Sequence, residues 1–443
     1  MPWVFLSAPG NFVVAALLTQ FYGLDKPTYG LVVSLPAWSN AAQIFVLPWL
    51  ARFLTPKDLT LGMGWLNIGL WTMLAMVLPY LPKDDAPGVA RLFVMFFIVA
   101  SLSQAFLGVG WTSWVREWVP RRLRGQYFGK RNRWLNASTV VFLVAVLLLF
   151  RADEKALWPY QLLIGAAVVM RYGSLIWQQG IHTRTDHLDV VGHGWLAQLR
   201  ETLAAPGLLR FIVFAAWVSF WLGFTGPFIP VFTFEELGLV PGTFSVLVIL
   251  ATVSGFFGWW FWGRQVDKHG CLPVLVAGLI LWEAQNYLWV ILNRDNVWLL
   301  YPMWIYGGFT ATAYFAASFN LLLKLVPSTS KLTGVSLHLA LTSLAAGLAP
   351  IAAGLLLAYF LEAGLGITAY RYGFAIKPTA VLAGLFLLRG LHEPQRSGRA
   401  SLPGAFRTIR EILSSQSAAF LDAAMPRFKS RTTGKKRPPD EHP

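Results

Sequence analysis

Apolar runs of about twenty residues recur from one end of the chain to the other, parted by short segments that hold most of the charge. A helix rises about 1.5 Å per residue, so each run is long enough to cross the roughly 30 Å hydrocarbon layer of a bilayer. Composition agrees: 56% of the 443 residues are hydrophobic and only 13% charged, where soluble domains carry about 25% charged residues. The sequence therefore predicts an all-α polytopic membrane protein, in which lipid takes the place of a large buried core.

Breaks at charged, Pro-bearing or Gly-bearing positions divide the runs into two sets of six. The first set covers residues 3–21, 29–53, 59–81, 90–114, 135–150 and 158–178. The second covers 211–234, 243–262, 272–292, 297–325, 332–360 and about 372–391. This gives a first half over 1–180, a linker over 181–210, a second half over 211–392 and a basic tail over 393–443. The first run lacks a basic leader and a small-residue cleavage site, so it reads as a spanning helix and not as a signal peptide.

The net charge of +15 does not point to nucleic acid, because the basic residues sit in short loops and the tail, not among aromatics on one face. They report orientation instead. The segment after the fourth run holds Arg116, Arg121, Arg122, Arg124, Lys130, Arg131 and Arg133, while the loop after the seventh holds none. Arg52, Lys57, Arg264, Lys268, Lys324 and Lys331 fall on the same side as that rich segment. Both termini are expected in the cytoplasm, with the chain in the inner (plasma) membrane. In the tail, Leu402, Phe406, Ile409, Ile412 and Leu413 recur at helical spacing. Two readings stay open there: a helix lying on anionic lipid, or an unstructured basic segment.

After the eighth run the sequence reads Gly263, Arg264, Gln265, Val266, Asp267, Lys268, His269, Gly270. This resembles the cytoplasmic loop signature of the major facilitator superfamily, although Cys271 and Leu272 replace its closing basic pair. The stretch Arg121, Arg122, Arg124, Gly125, Phe128, Gly129, Arg131 resembles a run found in many bacterial members. Val326 and Pro327 followed by Gly334 weakly echo Val119 and Pro120 followed by Gly125, as two repeated halves require. The resemblance implies twelve helices in two pseudo-symmetric six-helix bundles and transport by alternating access. It also implies that Gly263, Arg264, Asp267, Lys268 and Gly270 form a latch holding one state. In the first half the matching stretch, Pro48 to Lys57, keeps a basic turn in Arg52 and Lys57 but lacks the acid. The same fold also serves in proteins that assemble or stabilise membrane complexes without transport, and that reading stands as the alternative.

An ionisable residue at bilayer depth is costly and functional by default. Arg171, Glu283 and Lys377, the last nearer the outer surface, make up the short list. Glu283 is the candidate proton carrier, or else a structural carboxyl bonded to Gln285 or Asn286. Arg171 either neutralises Glu283, attracts an anionic solute, or bends toward headgroups. The resemblance assigns the cavity wall to the first, fourth, seventh and tenth helices, which puts Asn11, Gln104, Trp217, Trp221, Tyr306, Thr310, Tyr314 and Asn320 on the candidate list. Such a wall suits a neutral or amphiphilic organic solute, with a proton or other ion as candidate companion. No cofactor, metal or enzymatic activity is expected: Cys271 is the single cysteine, the central His182, His187 and His193 lack ligand spacing, and no phosphate-binding Gly-rich motif occurs.

Overall fold

The computed structural model describes residues 9–50, 53–82, 85–119, 124–152, 156–181, 195–327 and 331–393, and every regular element in it is helical. The first half contains α1 (Phe12–Ala16, continued by a π turn Leu17–Phe21), α2 (Lys26–Leu50), α3 (Pro56–Val77), α4 (Ala86–Trp118), α5 (Arg124–Ala152) and α6 (Trp158–Gln179). The linker holds α7 (Trp195–Ala204). The second half contains α8 (Leu208–Thr225), α9 (Phe228–Glu235), α10 (Pro241–His269), α11 (Cys271–Asn286), α12 (Leu300–Leu325), α13 (Lys331–Glu362) and α14 (Ile367–Gly384). With α8 and α9 counted as one broken span, the two halves offer twelve segments, of which eight are long and apolar enough to cross a membrane by length and composition. The central histidines and the tail beyond Glu393 lie outside the described residues.

Local chemistry sets the ends. The Thr55 hydroxyl accepts from the Asp58 N–H at 3.1 Å, with Pro56 in the first turn, and Asp85 accepts from the Gly88 N–H at 2.9 Å to start α4. Such caps satisfy amides that have no partner inside the helix. The seventh span breaks at Gly226 and Pro227, where a ring without an N–H interrupts the ladder. Two expected loops are helical instead: α5 begins at Arg124 and α10 runs through His269. Their basic side chains lie along aromatic faces, Arg131 over Trp111 at 4.4 Å and Arg264 over Trp260 at 3.9 Å. Long cationic stems resting on rings extend a helix past its apolar run at little cost.

Many large apolar side chains point outward, among them Met73, Met76, Val141, Val169, Phe256 and Phe257. In water such a surface would drive aggregation; against lipid it is the expected exterior.

The two halves meet unequally. One continuous apolar core joins Phe12, Tyr29 and Phe93 of the first half to Phe228, Phe244, Leu357 and Phe374 of the second. It lies toward the end of the bundle marked by Lys26. Toward the opposite end, marked by Lys57, the buried clusters among the described residues belong to one half each: Leu59 and Phe106 in the first, Phe211, Leu275, Leu321 and Leu391 in the second. Helix α2 packs on α13, α5 on α10, and α1 on α9 and α10. The α2–α13 crossing is backbone to backbone. A Cβ on Gly30 would collide with the Pro350 carbonyl, and one on Gly354 would stand 2.5 Å from the Lys26 carbonyl oxygen. Only glycine permits that approach.

Candidate functional site

At the closed end, three helices converge on Glu235, the last residue of α9. Its Oε1 pairs with the Lys26 ammonium of α2 and accepts from Gln20 Nε2 at 3.4 Å. Its Oε2 accepts from the Tyr370 hydroxyl of α14 at 2.8 Å. Beside this hub, the Tyr29 hydroxyl donates to the Pro227 carbonyl at 3.0 Å, at the break in the seventh span. Charge and hydrogen bonding thus join the halves where the shared apolar core ends.

A second charged group lies wholly inside the second half. Glu283 on α11 is fully buried, and both its oxygens accept from Lys377 on α14, at 2.7 and 2.6 Å. Asn286 donates to Glu283 Oε2 at 3.0 Å, and the Lys377 ammonium sits 5.0 Å from the centre of the Trp282 ring. The partners of Glu283 are thus Lys377 and Asn286 of its own half, while Arg171 stands half-buried on α6 in the other half. Lys377, expected near the surface, is instead buried as the counter-ion of Glu283. Pairing offsets the desolvation that an isolated charge would suffer there.

At the opposite end each half ties the start of its third span to the end of its sixth, with reversed chemistry. In the first half, Lys57 Nζ donates to the carbonyls of Gln179 and Ile181 at 2.9 and 2.7 Å. In the second, Glu393 Oε2 accepts from the N–H groups of Cys271 and Leu272 at 2.9 and 3.2 Å, and Oε1 accepts from Lys324 Nζ at 2.7 Å. A cation on helix-end carbonyls and an anion on helix-start amides both complement the helix dipole. Burial pushes the Glu393 carboxyl up, but the Lys324 ammonium, the Leu272 N–H and the Cys271 side chain outweigh it and hold it below the usual carboxylate range. Glu393 was assigned only to the tail by sequence, because nothing local marks it as a cap 122 positions away from Cys271.

The latch motif is placed as follows. Gly270 has φ 93°, a backbone state that favours glycine, and turns α10 into α11. Arg264, Asp267 and Lys268 are exposed. Gly263 has open space where a Cβ would stand, and the close helix approaches nearby are made by Gly258 against the Phe309 carbonyl and Gly278 against Ala313. Gly334 of the Val-Pro-Gly echo packs on Val326, with 2.7 Å left for a Cβ. Arg121 and Arg122 lie outside the described residues, and Arg124 and Gly125 begin α5.

The candidate wall separates into two groups. Asn11 caps α1 by accepting from the Val13 N–H at 2.8 Å. Trp217 donates to the Ala380 carbonyl of α14 at 2.7 Å and fills the space beside Gly384. Thr310 bonds back to the Tyr306 carbonyl of its own helix, and Tyr314 is buried near Trp282 of α11. Gln104 and Trp221 differ: Gln104 Oε1 and Trp221 Nε1 are buried polar atoms without a protein partner. Tyr306 and Asn320 are exposed. Sequence reasoning passed over Gln43 on α2 and His338 on α13, which also carry unpartnered buried atoms; an amide and an imidazole amid apolar helix were the available signal.

A bundle of two six-span halves, sharing a core at one end and keeping separate cores among the described residues at the other, defines a polytopic membrane protein of two-half architecture. Residues 207–427 match the Major Facilitator Superfamily. A bacterial homolog of the human lysosomal transporter Spinster, in an inward-facing and unoccupied conformation, superposes with a TM-score of 0.66 at 15% identity, over 93% of this chain and 95% of that one. The nucleoside transporter NupG superposes with a TM-score of 0.65 at 10% identity, over 88% and 97%. A D-xylose–proton symporter does so with 0.63 at 15% identity, over 89% and 96%. Among curated proteins none matches the sequence. The chain belongs to the major facilitator superfamily.

Proposed function

We propose that this protein carries a small neutral or amphiphilic organic solute across the inner membrane by alternating access, with both termini in the cytoplasm. The carrying observation is the apolar core that is shared at the Lys26 end and divided at the Lys57 end. By the distribution of Lys and Arg, the divided end is cytoplasmic, so this arrangement is open to the inside. Gln104 on the first half and Trp221 on the second offer an acceptor and a donor without protein partners, and a hydroxylated solute satisfies both. The intramembrane pair Glu283 and Lys377 is internally neutralised within one half, which supports a structural role over carriage of a proton. Superfamily relatives named for nucleosides and for D-xylose fit the same class of solute.

The test is a thermal-shift screen of the purified full chain against pentoses, hexosides, nucleosides and small aromatic glycosides, followed by uptake of any hit into proteoliposomes. A hit that is taken up, and whose binding is weakened at least about tenfold, roughly 1.4 kcal/mol, by Gln104→Ala, supports the reading. Binding that survives both Gln104→Ala and Trp221→Phe would place the solute elsewhere.

A further inference from the structure

We propose that Glu235 is the residue that sets which end of the carrier is shut: its negative charge holds the two halves together at the Lys26 end, and its loss opens that end. The proposal rests on the alternating-access reading above and names the switch within it.

Glu235 faces both halves at once. From the first half it takes the Lys26 ammonium and the Gln20 amide; from its own half it takes the Tyr370 hydroxyl. Parting the halves here removes both first-half partners and leaves only Tyr370. The remaining surroundings disfavour a carboxylate. Glu235 ends helix α9, where the helix dipole is negative, and Glu236 follows it directly. Glu235 therefore has three partners when this end is closed and one when it is open, and a group with that difference in contacts biases the equilibrium between the two states.

The rest of the seam does not depend on this charge. Phe12 meets Phe244 with ring centroids 4.9 Å apart, Tyr29 donates to Pro227, and the glycines of α2 and α13 keep the backbones in contact. Glu235→Gln preserves shape and an acceptor for Tyr370, so it weakens the closure without dismantling it.

Accessibility reports the outcome without knowledge of the solute. Cys271 is the single cysteine and is buried, so Cys271→Ala gives a silent background. Ser34 is fully buried on the face of α2 that carries Gly30 and Ala37, and Ser34→Cys is a small change that reads the closed end. Ser336 lies eleven residues before Gly347, which abuts Trp38 of α2; eleven residues are about three helical turns, so it continues the same face of α13, yet it is exposed. Ser336→Cys reads the opposite end.

With the full chain in proteoliposomes and a membrane-impermeant maleimide, Glu235→Gln is expected to speed labelling of Ser34→Cys by about tenfold or more. Lys26→Gln should do the same from the other half, and the exchange Lys26→Glu with Glu235→Lys should slow labelling again toward the parent rate. Unchanged Ser34→Cys labelling in a monodisperse Glu235→Gln protein overturns the proposal. So does an exchange variant that labels as fast as either single change, since the effect would then come from damage and not from pairing. If Glu235→Gln does not accumulate, Lys26→Gln decides between the same outcomes. Labelling of Ser336→Cys separates the two claims: if it falls as Ser34→Cys rises, the ends alternate. If Ser34→Cys rises alone, the switch stands and the alternating-access reading fails.

Discussion

Lys377 holds both carboxylate oxygens of Glu283, at 2.7 and 2.6 Å, across 94 positions of sequence. The pair joins α11 to α14 inside the second half, and its neighbours Asn286 and Trp282 belong to that half as well. A buried ion pair of this kind costs little while intact and much when broken, because the surviving charge is left without a partner.

Glu283→Gln should therefore lower stability sharply, by roughly 3–5 kcal/mol, by stranding the Lys377 ammonium. Replacing both residues, as Glu283→Gln with Lys377→Met, should restore most of that loss. Unfolding temperature in detergent, measured on single and double variants, checks it; a double variant no better than the single would show that the residues do not act as a pair.

Gly354 meets the Lys26 backbone with no room for a side chain. Gly354→Val should force α2 and α13 apart at the closed end, at a cost of about 1–3 kcal/mol as for other overpacked contacts. Gly263→Ala, with open space around it, should cost no more than about 0.5 kcal/mol. Comparing the two unfolding temperatures tests whether the close approaches lie where the structure puts them.

Glu393 binds Lys324 and the start of α11, and its carboxyl is held below the usual range. A carboxylate whose folded pKa is depressed contributes stability that is full above its unfolded pKa, near 4.3 for glutamate, and that is lost as pH falls through the folded value. The difference in stability between the parent and Glu393→Gln should thus be constant from pH 8 to pH 6 and shrink below about pH 4. A difference that grows on acidification would contradict the assignment.

Much of the architecture was legible because apolar length is a local property. The runs at 59–81, 158–178 and 332–360 reappear as α3, α6 and α13 with ends moved by only a few residues. Ends misread were those where charge continues a helix, as at Arg124 and His269, since an arginine stem on a tryptophan face cannot be seen from charge alone. The site was less legible, because its decisive contacts join residues far apart in sequence. Glu283 was singled out as an intramembrane acid, yet its partner proved to be Lys377 and not Arg171. Lys26 and Glu235 lie 209 positions apart, and only the fold brings α2 and α9 together. Asn11 and Trp217 show the converse: polar atoms on the expected helices, used for capping and for packing.

Reciprocal motion of the two ends is the central claim, and pulsed electron–electron distance measurement tests it most directly. One spin-label pair, at exposed Tyr80 and Tyr359, spans the halves near the closed end; a second, at exposed Phe53 and His392, spans them near the other. In the full chain, with Cys271 replaced and the protein in lipid nanodiscs, the first pair should show a short main distance and the second a long one. Glu235→Gln should transfer population in both, lengthening the first while shortening the second. Distances that stay fixed at both ends, or that lengthen at both together, would contradict alternating access.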